Sequence, residues 1–259
     1  ISFTHMQHLL YLIISDNKLD GRLENVFNST QQQALTVLDI SDNLFTGSIP
    51  FNFFEGNLEV FSATTNCIRG TLPESLCNAS TLVTLGVDGG GAASECSRRD
   101  VFQLSTHPSM PNGLLSCLFN LPALQTLHLS GNGITGTLPP LGPNMTIRDL
   151  VLAYNELTGT IPTGYQAAGW TQLDLSNNAL TGSLDPTVLT IPHNGSLHLL
   201  SNLLSGHMPT RVRHTQDISV LKGNIFTCNY RRDSLPIHDK YRESYSCGST
   251  LANGAMIVW

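Results

Sequence analysis

The chain has 259 residues, 41% of them apolar and only 12% charged, with a net charge of −6. That is enough apolar material for one or two cores, while an acidic balance without a basic stripe argues against nucleic acid as a partner. Six cysteines permit three bridges but are too sparse for a disulfide-dense miniprotein, and no apolar run reaches the roughly 18 residues of a complete membrane span.

The first residues, ISFTHMQHLLYLII, show neither a basic n-region nor a small-residue cleavage site. From Leu9 onward the chain repeats itself. Asparagines recur at 17, 43, 66, 132, 155, 178, 202 and 224, with gaps of 26, 23, 66, 23, 23, 24 and 22 residues. Around most of them the frame is L-x-x-L-x-L-x-x-N-x-L. In the second copy it is filled by Leu35, Leu38, Ile40, Asn43 and Phe45, and in the fifth by Leu124, Leu127, Leu129, Asn132 and Ile134. Alternating apolar positions predict a short strand whose leucines face inward. One such coil cannot cover its own apolar face, so coils must stack, about 4.8 Å apart, into a parallel sheet with a continuous core. The asparagine is expected to turn the chain off the strand and to satisfy buried backbone groups in its own bend and in the next coil. The glycine that follows the next apolar residue is expected in a second bend that needs an unusual backbone angle or a close approach.

This frame resembles the leucine-rich-repeat signature. The x-G-x-I/L-P that follows, as in Gly47-Ser48-Ile49-Pro50, Gly136-Thr137-Leu138-Pro139 and Gly159-Thr160-Ile161-Pro162, is similar to the plant-type variant. The resemblance covers about 220 residues. It implies an α/β-type repeat solenoid, a right-handed superhelix with a short-stranded parallel β-sheet on its concave face and a mostly irregular or 3-10 convex side. About nine coils over residues 1–222 would span roughly 45 Å. No capping element precedes Leu9, so the chain is expected to begin inside a longer solenoid.

The fourth copy, Leu82, Leu85 and Val87, breaks the pattern. Gly90 holds the asparagine position, and an insertion of roughly 18 residues follows, near 89–113. The last copy keeps Leu221, Asn224 and Phe226 but places Cys228 where a glycine is expected. The pair Cys228 and Cys247 resembles the C-terminal disulfide cap of leucine-rich-repeat surface proteins, which gives residues 223–248 that role. Such a loop is worth about 3 kcal/mol. The four arginines and lysines of 230–243 are read as a solvated part of that cap. Among Cys67, Cys77, Cys96 and Cys117 the pairing stays open: Cys77 with Cys117 and Cys67 with Cys96, or Cys77 with Cys96. The tail 249–259 ends in AMIVW, either the start of a membrane span or an ordinary frayed end.

Catalytic signatures are absent: there is no G-x-S-x-G, H-E-x-x-H or Walker loop and no kinase motif. The clustered His193, His198, His207 and His214 offer no metal-ligand spacing, and only His198 projects from a predicted strand. Neither a cofactor nor a metal is expected. The outward positions of the strands carry Asp16, Asp39, Asp42, Glu59, Asp88, Asp149, Asp174 and Asp217 against Arg148 and Lys222. A concave surface of one sign favours a basic partner, and the competing role for these aspartates is bonding to their own turns. Aromatic anchors there are few, Tyr11 and Tyr154.

Candidate ligand contacts are therefore Asp39, Asp42, Glu59, His128, Arg148, Asp149, Tyr154, Gln172, Asp174 and His198. Sequons at Asn28, Asn78, Asn144 and Asn194 are candidate glycosylation sites and argue for an extracytoplasmic location. By resemblance, the chain is a non-catalytic extracellular recognition segment of a receptor-like or surface protein. Its ligand would be a protein or peptide, with a glycan as the other option, and it would meet a membrane only through a span outside this segment. Two alternatives are a secreted inhibitor of cell-wall hydrolases and a structural surface-coat or adhesion component.

Overall fold

A computed structural model describes residues 3–28, 31–68, 70–89 and 113–248. The inserted segment after the fourth copy, with Gly90 and Cys96, and the tail 249–259 lie outside the described residues. The chain divides into two units: residues 1–135 with 141–147, and 136–140 with 148–259.

In both units the first apolar position of each L-x-L is the centre of a three-residue strand, here called a front strand. The first unit has five: Tyr11–Ile13, Val37–Asp39, Val60–Ser62, Thr84–Gly86 and Thr126–His128. The second has four: Asp149–Val151, Gln172–Asp174, Ser196–His198 and Asp217–Ser219. Within each unit they pair in parallel, and their central residues stack in register. In the first unit the stack runs Leu12, Leu38, Phe61, Leu85 and Leu127. In the second it runs Leu150, Leu173, Leu197 and Ile218. All except Leu12 are buried. At roughly 25 cal/mol per Å² of apolar surface, this continuous stack is the main source of stability.

Opposite the front strands, the segment after each asparagine makes a second set of short parallel back strands. They are Asp20–Arg22, Leu44–Gly47 and Cys67–Ile68 in the first unit. In the second they are Glu156–Thr160, Ala179–Ser183, Leu203–His207 and Ile225–Thr227. Helix is confined to short pieces such as Glu74–Asn78, Thr163–Ala167 and Thr210–Val212. The result is a parallel-strand solenoid of about eight turns. Where the coils are wide, aromatic side chains fill them. Phe53 packs 4.9 Å from Phe61 and 6.3 Å from Phe27 in the first unit. In the second, buried Trp170 lies 5.9 Å from Tyr165 and donates its indole N–H to the Tyr165 carbonyl at 2.6 Å.

The asparagines form the ladder that ties coil to coil, and its direction differs from the sequence expectation. Asn43, Asn66, Asn132, Asn178, Asn202 and Asn224 reach the coil before their own, not the coil after. Asn43 donates to Ile40 and Ser41 in its own coil and to Ile14 in the preceding one, and accepts from Leu19 N–H at 3.0 Å. Asn66 does the same with Ile40 and Phe45. Asn132 reaches Val87. Asn178 takes Leu152 and Leu157, Asn202 takes Leu175 and Leu180, and Asn224 takes Leu199 and Leu204. Asn155 bonds Leu152 and Ala153 within its own bend. Asn17 is exposed and bonds Ile14 and Ser15. A parallel strand pair leaves bend carbonyls and N–H groups unpaired, and a buried amide with both donor and acceptor meets both needs.

The sequence frame did not disclose how the bend is made. The residue just before each ladder asparagine adopts a left-handed conformation: Asp16, Asp42, Thr65, Tyr154, Asn177 and Ser201, with φ of 49 to 56°, and Gly131 and Gly223. Only Gly131 and Gly223 do so without steric cost. The glycine of the second bend needs both of its expected properties. Gly159 has φ +78°, and a Cβ there would come 2.9 Å from the Thr137 methyl; Gly182 has φ +85° and the same closeness to Thr160.

Cysteines staple the return side. Cys77 bonds Cys117, and Cys228 bonds Cys247, each with Cα atoms 5.3 Å apart. Cys67 is also disulfide-bonded. Residues 223–248 close against the last coil. The Asp239 carboxylate, 3% exposed, accepts from the N–H groups of Val220 at 2.7 Å, Leu221 at 3.0 Å and Tyr241 at 2.9 Å. Tyr245 donates its hydroxyl to the Asn224 carbonyl at 3.0 Å, and burial pushes that phenol up to about 12. No helix among the described residues is long and apolar enough to cross a membrane.

Candidate functional site

A front strand of three residues buries its middle side chain and points the other two outward. What those outward pairs become depends on the coils beside them. In the first unit several are absorbed locally. Asp39 accepts from Ser41 N–H at 3.0 Å, and Ser41 Oγ meets Ser62 Oγ at 2.8 Å. Asp88 accepts from Ser130 N–H and lies 3.8 Å from His128 Nδ1. Asp42 and Glu59 remain exposed.

In the second unit the outward residues come together. Register places Asp174 beside His198, and Gln172 beside Ser196 and then Asp217. His198 Nε2 meets Asp217 Oδ1 at 2.9 Å, and its Nδ1 lies 3.7 Å from Asp174 Oδ2. Asp174 Oδ1 accepts from the Ser176 N–H at 2.9 Å and its hydroxyl at 2.6 Å. The nearby Asp174 carboxylate raises the imidazole, partial burial opposes it, and Asp217 adds to the rise, so His198 is pushed up to about 9 from 6.5. Burial pushes Asp174 up, but the bonds from His198 and Ser176 outweigh it and hold the carboxyl below its usual 3.8. The arrangement is an imidazolium held between two carboxylates on three successive coils.

This network floors an open cleft of about 430 Å³ whose lining includes Tyr154, Asp174, His198, Asp217, His238 and Lys240. Tyr154 is 67% exposed and is one of the left-handed bend residues, so the backbone holds its ring outward. The cleft thus joins an aromatic face, hydrogen-bonding carboxylates and two cations on a rigid frame. Sequence reasoning singled out Tyr154, Asp174 and His198. It missed Gln216, His238 and Lys240 as cleft residues. Gln216 sits one position before a front strand, and the other two belong to a segment with no repeat frame. Gln172 shares a strand with Asp174, Asp149 opens the preceding front strand and Arg148 stands one position before it; none of the three lines the cleft.

Among the described residues no group of three or more His, Cys, Asp or Glu side chains is arranged to hold a metal ion. The sequons Asn78, Asn144 and Asn194 are exposed on segments between strands, and Asn28 is half-buried.

The family model described as Leucine Rich Repeat matches residues 34–55 and 123–145. Receptor-like protein 39 of Arabidopsis thaliana is 29% identical over 201 residues, which cover 74% of this chain. The chain spans 20% of the length of that relative. Among solved structures, the PEPR1-AtPEP1 complex superposes with a TM-score of 0.63 at 22% identity, over 86% of this chain and 33% of the other. The Arabidopsis receptor kinase HAESA, in complex with the peptide hormone IDA and the co-receptor SERK1, gives 0.56 at 25% identity, over 86% and 44%. Repeat frame, coil geometry and these likenesses agree: the chain folds as a parallel-strand repeat solenoid and is similar to plant leucine-rich-repeat receptors and receptor-like proteins.

Proposed function

We propose that the chain is a piece of an extracellular recognition segment and that its front strands bind a peptide or protein ligand without chemical turnover. The observation that carries this reading is the second-unit cleft, where three coils bring Asp174, His198 and Asp217 together beside an outward-held Tyr154. Such a surface is formed before the ligand arrives, so little ordering entropy is lost on binding. An exposed tyrosine is also a common anchor of interface energy. The peptide complexes among the structural neighbours support the ligand class. The exposed sequons and the disulfides Cys77–Cys117 and Cys228–Cys247 support an extracellular location. Residues 223–248 act in this reading as a cap over the last coil of a 1–222 solenoid. The exposed carboxylates Asp42, Glu59 and Asp217 favour a ligand with basic groups.

A test is to titrate basic, acidic and neutral peptide pools against the chain and then against variants. Saturable binding of basic peptides, weakened about tenfold or more by Tyr154→Ala and also weakened by Asp217→Asn, is the expected result. Binding that ignores both substitutions, or no saturable ligand in any pool, would remove the cleft from consideration.

A further inference from the structure

Residues 205–248 hold seven of the chain's thirteen lysines and arginines but four of its nineteen acids. Three of those four acids are already engaged. Asp217 is bound to His198, Asp239 is buried on three backbone N–H groups, and Glu243 meets Arg242 at 2.7 Å. Two of the cations gather on one ring. Lys222 Nζ lies 5.2 Å from the Tyr241 centroid, and Lys240 Nζ lies 5.0 Å from it. Both lysines are exposed, and neither forms an ion pair among the described residues.

We propose that Lys222, Lys240 and Tyr241 form an anion-binding site for an acidic polysaccharide of the polyuronate class. Two ammonium groups held against one ring repel each other, and an exposed cation–π contact offsets little of that. A chain of regularly spaced carboxylates meets both and relieves the repulsion. Next to the ring runs an open groove of about 240 Å³ bordered by Lys222, Gly223, Tyr241, Ser244 and Ser246. Its rim offers hydroxyls for sugar hydroxyls and no aliphatic side chain to enter lipid, which favours a saccharide over a membrane surface. The site shares Lys240 with the front cleft, but Lys222 and the groove beside Tyr241 lie outside that cleft, so Tyr154→Ala is expected to leave polyuronate binding unchanged.

The test measures polygalacturonate oligomers binding to the 259-residue chain by calorimetry, with neutral oligosaccharides as the blank. Binding that is saturable and weakens with added salt is expected. The pair Lys222→Gln with Lys240→Gln is expected to weaken it about tenfold or more, and Lys222→Gln alone roughly threefold, with the melting temperature unchanged. The charge-keeping pair Lys222→Arg with Lys240→Arg is expected to bind as the parent does, and it stands in should the glutamine pair fail to fold. Unchanged binding by the glutamine pair, or loss of binding by the arginine pair, overturns the proposal. So does equal affinity of the parent chain for phosphatidylserine vesicles or for polyglutamate.

Discussion

Asn17 and Asn202 occupy the same motif position, yet their surroundings separate them. Asn202 is 3% exposed, donates toward Leu175, Leu199 and Leu200, and accepts from Leu180 N–H at 2.9 Å. Removing its amide strands buried groups in two coils at about 1–3 kcal/mol each. Asn202→Ala should therefore cost about 3 kcal/mol in urea titration, and Asn17→Ala, which is solvated, less than about 1 kcal/mol. Equal costs would show that the ladder does not depend on burial.

His198 sets a pH signature at the same scale. Its folded value of about 9 lies above 6.5, so the folded state holds the proton more tightly. The stability it contributes is complete below 6.5 and is lost as pH rises through about 9. Asp174, held below 3.8, adds stability above that value that disappears on acidification. Melting temperatures across pH should show both arms in the parent chain. His198→Gln should flatten the alkaline arm, and an unchanged arm would dissociate it from this network. The imidazole was legible as an outward strand residue, because the frame fixes which way residue 198 points. Its two carboxylate partners were legible only as outward acids. That one lies 24 residues before the histidine and the other 19 after it, on the two flanking strands, is a fact of register, which a list of outward positions does not contain.

At the scale of one coil, two glycines make opposite predictions. Gly159 combines a left-handed angle with a neighbour 2.9 Å from any added Cβ, whereas Gly56 has nothing within 4 Å and no such angle. Gly159→Ala should destabilise by about 1–3 kcal/mol, and Gly56→Ala should be stabilising by about 0.5 kcal/mol through the unfolded chain. Thermal melts of the two variants moving in the same direction would contradict this. The coil was largely readable from sequence, since inward leucines, the bend glycine and the asparagine are each chemically distinctive. The left-handed residue before the asparagine was not. Aspartate, threonine, tyrosine, asparagine and serine all fill it, so no residue type marks it. The strain of each is outweighed by the two coils that fix it on either side.

For the whole molecule, an array of coils contacts mainly its sequence neighbours, so unfolding need not be all-or-none. Trp170 is the tryptophan among the described residues and is buried in the second unit. In urea, its fluorescence and the far-ultraviolet dichroism of the whole chain should give transitions that do not coincide. Superimposable curves would mean the two units melt as one. The spacing of coils was legible because a repeated frame measures itself. The cleft at Lys240 and His238 was not, because it needs a segment without a frame to fold back on one with it.

The backward reach of the asparagines gives the molecule a time order during synthesis. Each bend is completed by an amide that leaves the ribosome roughly one coil later, as Leu19 waits for Asn43 and Leu180 for Asn202. A nascent chain therefore always trails one unfinished rung, and assembly advances like a zip whose slider follows the newest tooth. At the last rung, where no further asparagine takes over, the task passes to a carboxylate and a phenol, Asp239 and Tyr245, both supplied by the residues that follow.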